Sequence, residues 1–189
     1  PVPRLLIPGQ VVLPLEPGCY RIGFEAYDRK AGRSAAATQT VRIDPLAGSP
    51  AISDIQFASG IRDGGENARF SKGDLQVVPH PQRGYRIPAP VNCYFEVYGL
   101  DTDKDGKAFY RIEYKIVPLE KRRWGPVLKE VPTTISSEFE TSGLGAAQAQ
   151  RISIATDELW KGPFRLDVTV TDRRTFRSAG RSAEFSIIE

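Results

Sequence analysis

Apolar and polar side chains alternate along much of this chain, most clearly near its carboxyl terminus. Residues 164–171 place Phe164, Leu166, Val168 and Val170 in one phase and charged or hydroxyl side chains in the other. Because successive side chains of a β-strand point to opposite faces of a sheet, this period of two predicts a half-buried strand. Similar patterns, bounded by turn residues, predict strands at residues 52–58, 75–78, 91–100, 108–117, 134–139, 150–155 and 183–188.

Two segments lack this alternation. Residues 60–73 are rich in glycine and charge, which predicts a loop. Residues 143–150 carry the one weak helical signal of the chain.

An internal repeat is the most informative feature of the sequence. Residues 20–43 (YRIGFEAYDRKAGRSAAATQTVRI) align without a gap with residues 164–187 (FRLDVTVTDRRTFRSAGRSAEFSI), at a constant spacing of 144 residues. Each copy follows a Pro/Gly turn and contains two alternating segments joined by a polar loop that begins with Asp-Arg. Self-similarity of this kind is typical of a duplicated structural unit, here the terminal hairpin of an antiparallel sandwich.

The strand pattern and the repeat together predict the fold class. We expect an all-β chain built from tandem immunoglobulin-like antiparallel β-sandwiches, with the domains at residues 1–47 and 48–189. Only 43 residues lead up to the end of the first hairpin, so the first copy is expected to be incomplete. Its other strands would lie upstream or come from another chain, because a lone partial sheet exposes unpaired edges and half a core.

Composition limits the function classes. Hydrophobic residues make up 40% of the chain and charged residues 26%, and the net charge is +3, which is ordinary for a soluble globular protein. The short, scattered basic runs favour solvated loops over a nucleic-acid-binding face. No apolar stretch is long enough to predict a transmembrane helix. The chain begins at Pro1 and contains no methionine, so an anchor or signal segment would lie upstream.

The two cysteines are too few for a disulfide framework. Cys19 is out of phase with the apolar residues of its segment, whereas Cys93 is in phase with Phe95 and Val97. We therefore predict two free thiols, with Cys19 exposed and Cys93 buried.

Residues 101–106 (DTDKDG) match the start of an EF-hand calcium loop. The position that should supply a bidentate Glu is Ile112, and both flanks are predicted strands instead of helices. The favoured interpretation is a β-hairpin turn in which Asp-Gly supplies a positive φ. The alternative is a weak surface calcium site formed by Asp101, Asp103 and Asp105.

The remaining candidate residues do not form a recognisable catalytic or ligand-binding motif. His80 is the only histidine and lies between two prolines, so an exposed loop position is expected. Trp124 follows the basic residues 121–123 and would either contact lipid headgroups or a partner protein, or cap the sandwich. Trp160 is expected in the core. No phosphate-binding, hydrolase or zinc-protease motif is present. We therefore assign no catalytic, cofactor-binding or metal-ligating residue and do not expect an enzyme.

Several segments resemble a known family. Residues 77–85 (VVPHPQRGY), 91–100 (VNCYFEVYGL) and 110–114 (YRIEY), together with 17–22 (PGCYRI), are similar to the C-terminal region of GWxTD-domain proteins. The similarity covers most of residues 11–117. The GWxTD motif itself is absent, so the chain would be only the C-terminal part of such a protein. Because those are bacterial envelope proteins, the resemblance implies a β-rich architecture and a periplasmic or cell-envelope location.

These features predict a non-catalytic, extracytoplasmic accessory subunit that mediates protein–protein contacts in a membrane-associated envelope complex, with an electron-transfer or photosynthetic complex as one candidate. Its partners would be other protein subunits, without cofactor or nucleic acid. Membrane contact would come only through an unseen N-terminal anchor or the partner. The alternative is a carbohydrate- or cell-surface-binding accessory module, in which Tyr94 and Tyr98 form an exposed aromatic platform.

Overall fold

The computed structural model describes residues 8–64, 69–120 and 135–188. Within these ranges the chain forms β-strands and no helix, which confirms the predicted all-β class. The strands are β1 (Gly18–Asp28), β2 (Arg33–Ile43), β3 (Ala51–Ile52), β4 (Gln56–Asp63), β5 (Ser71–Lys72), β6 (Leu75–Pro79), β7 (Gly84–Arg86), β8 (Val91–Tyr98), β9 (Lys107–Pro118), β10 (Ile135–Leu144), β11 (Gln148–Ile154), β12 (Gly162–Asp172) and β13 (Ser178–Ile188).

The chain divides into two compact units. One unit, Val11–Ala47, contains the antiparallel hairpin β1–β2. The other unit contains β3 to β13. The division near residue 47 lies in the turn-rich segment between β2 and β3.

The larger unit is a sandwich of two sheets. One sheet has the order β10-β9-β12-β13-β7 and is antiparallel except for the short β13–β7 pair. The other has the order β11-β8-β4-β6-β5, and β3 also pairs with β8. Thus β8 and β11 lie in one sheet and β9, β12 and β13 in the other, as strands B and E and strands C, F and G do in immunoglobulin-like sandwiches. The predicted sandwich architecture is confirmed.

The core of the sandwich lies between the two sheets because each sheet directs alternate side chains inward. Burial along β12 alternates residue by residue from Phe164 to Asp172, as the apolar pattern predicts. Phe164 stacks on Phe185 of β13, with ring centroids 5.6 Å apart. The opposing strand β8 contributes buried Cys93, while Cys19 in the hairpin is exposed, and both thiols are free as predicted.

Several strand boundaries differ from the predictions. The single strand expected at residues 52–58 is two strands, β3 and β4, and β4 continues to Asp63 within the predicted loop. β5 and β7 have no predicted counterpart, because two or three residues are too few to show a period. The weak helical signal at residues 143–150 is wrong, since these residues end β10, turn and begin β11. A positive φ of 83° at Gly145 makes that turn.

Candidate functional site

The two copies of the internal repeat form hairpins with the same backbone register. In the first hairpin Tyr20 pairs with Val41, and in the second Phe164 pairs with Phe185. Adding 144 to both members of each pair between Gly18↔Ile43 and Tyr27↔Ser34 gives a pair of the second hairpin. The sequence repeat is therefore a structural repeat, and β1–β2 corresponds to β12–β13.

The loops of the two hairpins are also closed in the same way. The Oδ1 atom of Asp28 accepts hydrogen bonds from the backbone N–H groups two and three residues later, at 2.8 and 3.0 Å. Asp172 does the same at 2.7 and 3.0 Å. The equivalent residues Gly32 and Phe176 are left-handed in the two loops, with φ of 60° and 56°. The repeated Asp at the end of the first strand is thus a turn cap.

The surroundings of the two hairpins are opposite in character. Phe24 of β1 is 54% exposed, whereas the equivalent Val168 of β12 is 1% exposed. No residue of β1 or β2 is buried. Directly opposite residues of an antiparallel pair share a face, so the hairpin has one largely apolar face. We call this the hairpin face, and it consists of Tyr20, Ile22, Phe24, Ala26, Ala35, Ala37 and Val41.

The apolar residues of β1 share one face of the hairpin, as their alternation predicts. Within the described residues β1 and β2 form a two-stranded sheet in which no residue is buried, and the strands that would complete this copy are expected upstream or from another chain. A two-stranded hairpin is marginally stable by itself in water. Contiguous exposed apolar surface marks interaction sites in soluble proteins. The hairpin face is therefore the leading candidate for a binding surface.

The acidic segment at residues 101–106 crosses from one sheet to the other, because β8 and β9 belong to different sheets. The predicted turn is confirmed locally by a Thr102–Ala108 bridge and by a φ of 74° at Gly106, but β8 and β9 do not form a hairpin. Asp103 Oδ1 accepts backbone N–H bonds within the turn. Asp101 Oδ2 accepts from Arg174 Nε at 2.8 Å. Two of the three carboxylates are thus engaged by protein donors.

Within residues 8–64, 69–120 and 135–188, no group of three or more His, Cys, Asp or Glu side chains could hold a metal ion.

Asp172 is a buried carboxylate that continues the inward-facing phase of β12, and this phase is the sequence signal that could have identified it. Its side chain is 1% exposed, and its Oδ2 atom accepts the backbone N–H of Asp101 at 2.7 Å, in addition to the two bonds within its own turn. Burial acts to raise its pKa, but the N–H donors of Thr175, Asp101 and Arg174 outweigh burial, so the pKa lies below its usual value. Asp172 therefore ties the β12–β13 turn to the β8–β9 connection.

His80 lies in the loop between β6 and β7 as predicted, but the prediction that it is exposed is wrong. Its ring is half-buried and lies 4.9 Å from the ring of Tyr85, and Nε2 lies 2.7 Å from the carbonyl oxygen of Gly84. Tyr85 in turn donates from its hydroxyl to the carbonyl of Ala58 at 2.9 Å. His80 thus helps to fix β7 at the edge of the sandwich.

The structure tests the predicted position of one of the two tryptophans. Trp160 is partly buried and packs against the core, with its ring 5.3 Å from that of Phe164. Trp124 and the basic residues 121–123 lie outside the described residues.

The expected aromatic platform of Tyr94 and Tyr98 is not formed. Tyr94 is only 4% exposed, and Lys72 Nζ lies 5.6 Å from the centre of its ring. Both tyrosine hydroxyls donate to the carboxylate of Glu96. Burial, reinforced by the bond to Glu96, raises the pKa of Tyr94. The surface here is an open groove of about 610 Å³ whose lining includes Lys72, Tyr94, Glu96, Tyr98, Gln148 and Arg151.

Comparison of the sequence with models of known protein families and with curated proteins finds no match. In the part of the chain that the structure describes, no helix is long and apolar enough to cross a bilayer.

Proposed function

We propose that this chain is a non-catalytic accessory subunit, located outside the cytoplasm, that makes protein–protein contacts within a membrane-associated envelope complex. The main observation that supports this proposal is the hairpin face. It has the strand pattern and register of β12–β13, whose equivalent face forms part of a sandwich core, yet none of its residues is buried. The resemblance to GWxTD-domain proteins supports the envelope location.

The free energy that a partner gains by covering the hairpin face comes mainly from three large side chains, Tyr20, Ile22 and Phe24. Full burial of one large apolar side chain stabilises a protein or complex by roughly 1.5–3 kcal/mol. Tyr20 and Ile22 are already half-buried, so covering the face would contribute on the order of 5 kcal/mol before the cost of association. That is enough to form the centre of a specific contact when a polar rim surrounds it.

The groove at Tyr94 is where the alternative function, carbohydrate binding, would be located. Sugar rings stack on exposed aromatic faces, but Lys72 lies over the ring of Tyr94, which leaves Tyr98 as the partly exposed tyrosine of the predicted pair. The groove therefore supports carbohydrate binding less well than the hairpin face supports protein contact.

Site-specific photo-crosslinking in native cells tests the proposal. A photoreactive phenylalanine analogue replaces Phe24, and a matched variant carries it at Phe176, which is 71% exposed at the tip of the equivalent hairpin. We expect position 24 to give a discrete adduct with another protein in the envelope fraction, and position 176 not to give it. Absence of any adduct at position 24, or the same adducts at both positions, would contradict the proposal.

A further inference from the structure

The first hairpin has an edge, on β1, that pairs with no other described strand, whereas the equivalent edge of β12 pairs with β9. In the sandwich, β12 pairs with β13 on one side and with β9 on the other, antiparallel from Phe164 to Asp172. Among the described residues β1 pairs with β2 only. The edge of β1 that corresponds to the β9 side of β12 therefore presents unpaired backbone groups, and such an edge is a template for a further strand.

The hydrogen bonds of the second hairpin identify these backbone groups. Asp172 N–H donates to the Arg177 carbonyl on the β13 side, and Arg173 N–H donates to the Phe109 carbonyl on the β9 side, both at 2.9 Å. Bonding direction alternates along an antiparallel strand, so odd-numbered residues of β12 bond toward β9. Because the hairpin registers are the same and 144 is even, the free edge of β1 carries the backbone groups of Cys19, Arg21, Gly23, Glu25 and Tyr27.

We propose that this edge pairs with β1 of a second copy of the chain, antiparallel and around a two-fold axis at Gly23. The pairing sets Arg21 of each copy opposite Glu25 of the other, and Ile22 opposite Phe24. Arg21 and Glu25 are exposed, and neither has an ion-pair partner among the described residues. The edge is thus self-complementary in charge, which is what an isologous two-fold contact requires.

Other strands fit this edge less well. A strand like β9, placed on β1 in the register it has with β12, would set Glu113 opposite Glu25 and Val117 opposite Arg21. Like charges directly opposite each other are destabilising.

The outer edge of β2 is also a poorer candidate for self-pairing. Centred on Thr38, it would place Ser34 opposite Arg42 and Arg33 opposite Ile43, with no opposite charges facing each other. Charge complementarity therefore favours the β1 edge and a second copy.

The consequence is a four-stranded sheet with one continuous apolar side. A two-fold axis perpendicular to the sheet keeps Tyr20, Ile22 and Phe24 of both copies on the same side. Edge pairing and use of the hairpin face by another protein are compatible, and the dimer does not depend on the function proposed above.

Sedimentation of the whole chain over a concentration series tests the dimer. We expect a monomer–dimer equilibrium that Arg21→Glu and Glu25→Arg each weaken by about tenfold, since each change replaces two attractions with two repulsions. The equimolar mixture of the two variants, and the double variant Arg21→Glu/Glu25→Arg, should recover the affinity. Arg29→Glu, in the loop, makes the same charge change outside the pairing and should leave the dimer unchanged.

Three outcomes would overturn the inference. The first is a monomer throughout the concentration series, and the second is a dimer that neither single variant weakens. The third is a loss of dimer that the mixture and the double variant do not recover. None of these outcomes bears on the photo-crosslinking at position 24, so the failure of one proposal can be distinguished from the failure of the other.

Discussion

Replacing Asp172 by alanine should destabilise the sandwich far more than the same change at its repeat partner, Asp28. Both carboxylates cap their own loop through two backbone N–H bonds. Asp172 alone is buried and accepts a further bond from Asp101 N–H. The repeat therefore supplies an internal control with the same residue, the same loop and a different environment.

The magnitude follows from the groups that the change would leave unsatisfied. A buried donor without a partner costs about 1–3 kcal/mol. Three N–H groups bond to Asp172, and water can reach some of them after the side chain is removed. We therefore expect Asp172→Ala to lower the free energy of unfolding of the sandwich by about 3 kcal/mol. Asp28→Ala, at an exposed position of the other unit, should change it by less than about 0.5 kcal/mol.

Urea unfolding of the whole chain, followed by tryptophan fluorescence, measures both values, because Trp160 packs against the sandwich core. Equal effects of the two substitutions, or a loss below about 1 kcal/mol for Asp172→Ala, would contradict this prediction, because burial and the third hydrogen bond would then contribute nothing to stability.

The stability that Asp172 contributes should depend on pH. Because the pKa of Asp172 is lower in the folded state than its ordinary value of 3.8, its contribution to stability is fully present above that value. The contribution is lost as the pH falls through the folded pKa. The difference in stability between the parent chain and Asp172→Asn should therefore shrink below about pH 4. A difference that stays constant down to pH 2 would contradict the assignment.

Three further predictions concern the core and the thiols. Leu166→Ala should cost about 3 kcal/mol of unfolding free energy by urea titration, whereas Ile22→Ala, its repeat partner, should change the stability of the sandwich by less than about 0.5 kcal/mol. Tyr85→Phe should cost about 1 kcal/mol in the same assay, because its buried hydroxyl donates to the backbone carbonyl of Ala58. Burial raises the pKa of Cys93 to about 12, so a thiol reagent at pH 8 should modify Cys19 alone until the chain is unfolded.

The sequence predicts the sandwich well where alternation extends over many residues. The period of two in β12 and the gap-free repeat are enough to indicate the strand, the hairpin and the duplicated unit. The phase of each cysteine relative to its apolar neighbours also indicates the opposite environments of Cys19 and Cys93. Alternation fails for β5 and β7, which are too short to show a period and depend on their neighbours in the sheet.

The environment of repeated residues could not be predicted from the sequence. Asp28 and Asp172 follow similar strands and cap the same loop, but the β8–β9 connection reaches only the second one. Tyr94 and Tyr98 are in the same phase of one strand, yet Tyr94 is covered because it packs with Ala58 and Val77 and Lys72 lies over its ring. Such differences arise from contacts between segments distant in sequence, which local patterns do not contain.

The most direct test of the hairpin face as a contact surface is the fraction of the 189-residue chain, added to washed native membranes, that sediments with them. Phe24→Asp places a charge in the middle of this face, and Phe176→Asp places the same charge at the exposed tip of the β12–β13 hairpin. We predict that Phe24→Asp moves most of the chain into the supernatant without changing its far-ultraviolet circular dichroism, whereas Phe176→Asp stays with the membranes. Equal retention of the two variants in the membrane pellet would contradict the account.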